Sequence, residues 1–132
     1  MRKAINVLAI SLAALLSISL VSCGKKTLTP EENVALKDII KQWEQVLAAI
    51  ENQNAEGFMS LCSENVTKNY SKKRIEDYLK ESLMQMEGKA RTDYEIASGT
   101  FNKEGTEVTV TFKSRRKKDF VKENGKWLLK NL

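Results

Sequence analysis

Residues 94–129, YEIASGTFNKEGTEVTVTFKSRRKKDFVKENGKWLL, decide the fold. Their apolar period is two. Tyr94, Ile96 and Ser98 alternate with Glu95, Ala97 and Gly99; Val108, Val110 and Phe112 alternate with Thr109, Thr111 and Lys113. Successive side chains of a strand point to opposite faces, so this pattern marks a sheet with one buried face. NKEGT (102–106) divides the first two strands, with Gly105 available for positive φ. Residues 119–122 and 126–130 form two further short strands around ENG. Two registers are open at that last hairpin. A two-residue Asn124-Gly125 turn pairs Lys122 with Trp127, and a three-residue turn with a bulged Gly125 pairs Val121 with Trp127. The second is favoured, because it puts Val121, Trp127 and Leu129 on one face, and a one-residue slip exchanges the faces.

Upstream the period changes to that of helices. Thr29 is a good N-cap, Pro30 suits the first helical position, and Glu32 completes a capping box with Thr29. Leu36, Ile39, Ile40, Trp43, Val46, Leu47 and Ile50 then recur at spacings of three and four, which predicts a helix over about 30–51. Asn52 to Asn54 interrupt it, and Asn54 caps a short helix over 55–62 with Phe58, Leu61 and Cys62 inward. SENVTKNY (63–70) reads as irregular. Ser71 caps a third helix over about 72–87, carrying Ile75, Tyr78, Leu79, Leu83 and Met86 on one face, and Gly88 ends it. The expectation is an α+β domain over 29–132: three N-terminal helices packed on a curved, antiparallel, four-stranded meander sheet. The long first helix is expected to lie in the curve of that sheet.

The first 28 residues read differently. Arg2 and Lys3 precede an uncharged, mostly apolar stretch, Ala4–Val21, closed by Ser22 and Cys23. A basic start, an apolar run and a small-residue junction mark a secretory signal, although a run of that length also suffices to span a bilayer. LVSC (20–23) resembles the lipobox of bacterial lipoproteins, with Leu20 at minus three and Ser22 at minus one. The resemblance implies cleavage between Ser22 and Cys23, and lipidation of Cys23 through its sulfur. Residues 1–22 are then the signal and 23–28 a lipidated tether. Six extended residues reach at most about 20 Å, which holds the domain near the membrane. Lys25 and Lys26 fall near the headgroups or in solvent. Two or more acyl chains anchor stably where one does not. The expected location is the cell envelope: the outer membrane in a diderm source (Gly24, not an aspartate, follows the cysteine), otherwise the outer face of the plasma membrane.

Composition limits the chemistry. The chain has 22 basic and 17 acidic residues; loss of Arg2 and Lys3 with the signal leaves a balance of +3. That balance argues against a dedicated nucleic-acid binder. With Cys23 committed to lipid, Cys62 is alone in FMSLC and reads as a small buried hydrophobe; an intermolecular disulfide or a reactive thiol is the alternative. Histidine is absent, so no transition-metal ligand set is expected, and no cofactor is implied.

The ordered features over roughly 31–132 resemble small bacterial lipoproteins of the nuclear-transport-factor-2-like, cystatin-like superfamily. The carrying segments are IIKQWEQVLAAIENQNAEGFMSLCSENV (39–66) and TEVTVTFKSRRKKDFVKENGKWLL (106–129), with Glu123, Asn124, Gly125, Lys126 and Trp127 forming the closing hairpin. The resemblance implies helices against a curved sheet that can enclose a pocket. The short stretch between this chain's last two hairpins implies a smaller sheet and a shallower cavity.

Function is then expected to be non-catalytic binding of a small apolar ligand or an envelope protein, with the membrane contacted through the lipid on Cys23 and no nucleic acid. Trp43, Tyr78, Tyr94, Phe112 and Trp127 are candidate pocket-lining residues, or simply core. The alternative is a small isomerase or dehydratase with an acid and a tyrosine in the cone. Asp38, Asp77, Asp93 and Asp119 offer no spacing that singles one out. Arg115, Arg116, Lys117 and Lys118, in KSRRKK (113–118), are candidates for contact with an anionic surface, against the simpler reading of a solvated edge that blocks strand pairing.

Overall fold

Thr29 and Glu32 start the first helix by exchanging hydrogen bonds. The Thr29 amide donates to Glu32 Oε1 at 2.9 Å, and the Glu32 amide donates to Thr29 Oγ1 at 3.1 Å. Helix α1 (Pro30–Glu51) follows, in a computed structural model that describes residues 27–132. The chain divides into two units, 1–33 and 34–132, and the sheet and its packing belong to the second. Ile39, Trp43, Val46, Leu47 and Ile50 of α1 are buried. Ile40, expected on that stripe, is 38% exposed and falls outside it.

Helix α2 (Ala55–Ser60) is capped as the sequence predicts, with Gly57 donating its amide to Asn54 Oδ1 at 3.0 Å. Segment 63–70 does not stay irregular. Glu64–Asn69 forms a further helix, α3, so the described residues hold four α-helices rather than three. Val66 (0% exposed) anchors it and Lys68 pairs with Glu64 one turn away. Helix α4 (Lys72–Met86) starts at Ser71, whose Oγ accepts from the Arg74 amide at 3.2 Å. It stops before Gly88, where φ is +76°.

Strands β1 (Ile96–Phe101), β2 (Glu107–Phe112), β3 (Lys117–Glu123) and β4 (Lys126–Leu129) form one antiparallel meander in that order. The α+β class and the four-stranded sheet are as expected. Tyr94 lies outside the strand, in a 3₁₀ turn (Arg91–Tyr94), and the β1 register shifts between Ile96 and Ser98. Strand β3 starts two residues earlier than expected and takes in Lys117 and Lys118.

The last hairpin corrects the favoured register. Lys122 pairs with Trp127 and Glu123 with Lys126, across a two-residue turn with φ of 51° at Asn124 and 78° at Gly125. Two positive φ values define the turn that matches strand twist. The face opposite α1's core therefore carries Phe120, Trp127 and Leu129, all buried, and not Val121. Lys122 shares it at the exposed end, its ammonium 6.0 Å from the Trp127 ring centre. Nothing lies within 4 Å of a Cβ built on Gly125, so an added methyl meets no clash and only the backbone resists it. Gly125→Ala is expected to cost about 1–2 kcal/mol in urea unfolding.

The open side of β4 is covered. Leu129 donates its amide to Leu61 O at 2.9 Å, and Ser63 donates to Leu129 O at 2.8 Å. The Ser63 hydroxyl donates to Lys130 O at 3.0 Å, which occupies the group that would otherwise cap α3. The segment between α2 and α3 thus satisfies an edge that would otherwise be free to pair with another chain.

Candidate functional site

Trp43 is the residue around which the site is built. It is 6% exposed, and its indole N–H donates to Tyr94 O at 2.7 Å. Its ring lies 4.8 Å from that of Phe112 and 6.4 Å, edge-on, from that of Phe120. With its polar atom engaged, Trp43 offers only apolar surface to anything beside it. Arg91 fixes the 3₁₀ turn against α1 by pairing with Glu51 at 2.7 Å and Glu44 at 3.3 Å. Hydrogen bonding to Glu51 raises the Arg91 pKa. Tyr94 is thereby held beside Trp43.

A partly open cleft of about 290 Å³ lies against this cluster. Trp43, Leu47 and Ile50 of α1, with Phe112 at the end of β2, supply apolar lining. Helix α4 contributes Tyr78, Glu81, Ser82, Gln85 and Met86, and the 3₁₀ turn contributes Tyr94. The β2–β3 turn and the start of β3 contribute Ser114, Arg116, Lys117 and Lys118.

Four of the five aromatics singled out in the sequence therefore meet at one cleft. Trp127 does not join them: it packs 5.9 Å from Phe101, and its carbonyl accepts from Gln42 Nε2 at 2.9 Å. Of the basic run, Arg116, Lys117 and Lys118 line the same cleft, while Arg115 sits exposed in the turn with φ of 72°. Ser22 and Cys23 lie outside the described residues.

Lys118 is the residue whose place in the site sequence reasoning missed. It pairs with Val110, which is 0% exposed, so it stands on the core face of the sheet. The side chain is half-buried and its ammonium donates to Tyr78 Oη at 3.2 Å. Tyr78 is set in turn against Phe58, 5.6 Å between ring centres. Among the described residues, Arg116, Lys117 and Lys118 make no salt bridge to a carboxylate, whereas Lys113 is drawn away to Glu95 at 2.6 Å. The signal was present in the sequence: counting back by twos from Phe120 reaches Lys118.

The acids do not gather here. Asp119 accepts from Thr109 Oγ1 at 2.6 Å on the other face of the sheet, and Asp38, Asp77 and Asp93 do not line the cleft. Glu81 does, but it is exposed. Among the described residues no group of three His, Cys, Asp or Glu side chains is placed to hold a metal ion, and no helix is long and apolar enough to cross a membrane. Comparison with protein-family models, curated proteins and solved structures finds no match for this chain.

Proposed function

We propose that the protein is a lipid-tethered binding module of the bacterial cell envelope, whose folded domain holds its ligand or partner in the Trp43 cleft. The observation that carries this reading is the cleft lining: an indole with its N–H committed to Tyr94 O, beside Leu47, Ile50 and Phe112, and still bordering open volume. Apolar concavities with a few polar groups are the usual form of small-ligand sites. The arrangement of helices on an antiparallel sheet is consistent with a nuclear-transport-factor-2-like, cystatin-like domain. Binding is preferred to catalysis because Glu81, the carboxylate at the cleft, is exposed and makes no hydrogen bond to Tyr78 or Tyr94 among the described residues. A general acid or base of the expected kind needs both a tyrosine partner and a tuned environment.

The tether rests on Arg2, Lys3, the apolar run and LVSC. Metabolic labelling with palmitate is expected to mark the wild type and to leave Cys23→Ala unmarked; equal labelling would refute the anchor. The cleft is tested separately with a photoreactive amino acid in the full-length chain, at Gln85 on the cleft or at Thr111 on the opposite sheet face. Adducts are expected from Gln85 and not from Thr111. Equal yields from both positions would remove the cleft from consideration.

A further inference from the structure

We propose that the cleft takes a single-chain anionic amphiphile, its acid group on Lys118 and Tyr78 and its apolar chain along Trp43, Leu47 and Phe112. This deepens the proposed function and rests on it. Lys118 is a lysine where packing calls for an apolar residue. Strand alternation puts position 118 on the buried face, beside Val110 and two residues from Phe120, where an apolar side chain would serve packing. A partly desolvated ammonium is costly unless it is paired. Its partner is the Tyr78 phenol oxygen, at 3.2 Å, and no carboxylate lies within salt-bridge distance among the described residues.

That pair is set up to receive an anion. An ammonium has three donors, and the contact with Tyr78 uses one. The Tyr78 oxygen accepts that bond, while its own proton makes no hydrogen bond among the described residues. Two groups with unspent donors, the ammonium and the phenol, thus stand together on one side of the cleft, and a carboxylate or comparable acid accepts from both. Arg116 borders the same opening, so its charge draws anions, with exposed Glu81 opposing it. Trp43, Leu47, Ile50, Met86 and Phe112 supply the apolar part of the lining, which suits a hydrocarbon chain. A volume of about 290 Å³ is small for a ligand site. It suits one chain and not the two of a diacyl lipid.

The test uses membranes from cells producing the full-length chain and three photoreactive probes. These are dodecanoate with a diazirine on its chain, the dodecylamine carrying the same diazirine, and a diazirine-bearing phosphatidylglycerol. Labelled peptides are located by mass spectrometry. The dodecanoate probe is expected to mark the cleft peptides at least about tenfold more than the amine does. Lys118→Met keeps the length of the side chain and removes the charge; it is expected to lose at least about tenfold of that labelling, the scale of a hydrogen bond to a charged group. Tyr78→Phe keeps the ring on Phe58, removes the hydroxyl, and is expected to lose severalfold. It carries the test should Lys118→Met fail to accumulate. Equal labelling by the amine, or by both variants, overturns the anionic class but leaves the cleft a binding site. Preferential labelling by phosphatidylglycerol overturns the single chain. Absence of cleft labelling by all three probes overturns this inference, while the proposed function stands or falls on the Gln85 and Thr111 crosslinks.

Discussion

Trp43→Ala is expected to lower the free energy of unfolding by about 3–5 kcal/mol, the usual loss when a buried aromatic is cut back to a methyl group. Domains of ordinary stability have roughly 5–15 kcal/mol in total. At roughly 4–8 °C per kcal/mol for a unit of this size, the melting temperature should fall by roughly 12–40 °C. The loss is large because Trp43 serves three neighbours at once. Its ring fills the space between Phe112 and Phe120, and its N–H satisfies Tyr94 O. Trp43→Phe separates these contributions. It retains a ring in the cluster but leaves the Tyr94 carbonyl without its donor, at about 1–3 kcal/mol. Thermal unfolding followed by circular dichroism distinguishes the two variants. A Trp43→Ala midpoint within a few degrees of wild type would mean that the indole is not a keystone of the packing, and that α1 is held to the sheet by other contacts.

That central role of Trp43 was legible in the sequence only as one position of a helical stripe and one of five candidate lining or core aromatics. The stripe, the capping box at Thr29 and the caps at Asn54 and Ser71 could be read because each depends on local spacing. Helix α3 could not. Six polar-rich residues with one buried position, Val66, show no period, and a helix that short owes its existence to tertiary anchoring. The last hairpin failed for a different reason. Pairing Val121 with Trp127 maximised apolar contact on paper, whereas the folded chain places Lys122 beside Trp127. A lysine can lie along an aromatic ring through its methylene stem while its ammonium stays in water. The Asn-Gly turn was the stronger signal, because two consecutive positive φ values need these residue types.

The same weighing explains what happened to the basic run. Read as a string, KSRRKK is a solvated edge. Read by register it is three different things. Lys113 pairs with Glu95, Arg115 turns the chain with positive φ, and Lys118 enters the inner face of β3. Charge patterns carry no information about face until the strand boundaries are known, and β3 begins within the run. The aromatic residues were easier to place. Tyr78, Phe112 and Trp43 each belong to an element with clear periodicity, while Trp127 takes the plainer of its two expected roles, as core beside Phe101.

Cys62 should react with iodoacetamide at pH 8 at least about a thousandfold more slowly in the folded protein than in urea. The thiolate is the nucleophile. Burial pushes the Cys62 thiol from 9.0 up to about 12, with the Lys118 charge acting weakly in the opposite direction. At pH 8 the shift alone lowers the thiolate fraction by about three powers of ten. At 5% exposure, the sulfur is also shielded from the reagent. Its S–H donates to Phe58 O at 3.2 Å, a bond that only the protonated form can make. The consequence for stability has a definite sign. The unfolded chain releases this proton from about pH 9, while the folded chain retains it to about pH 12. The folded state therefore binds more protons across that window, so the stability Cys62 confers is complete below pH 9 and falls as pH rises toward 12. Cys62→Ala removes the linkage, and its stability should decline less steeply between pH 9 and 12 than that of wild type. An unchanged alkaline slope, or native alkylation as fast as in urea, would show that the sulfur reaches solvent. Lys118→Met extends the argument to the cleft. Loss of that neighbouring positive charge should slow native alkylation further, because the same ammonium proposed to meet an anionic ligand also favours the Cys62 thiolate.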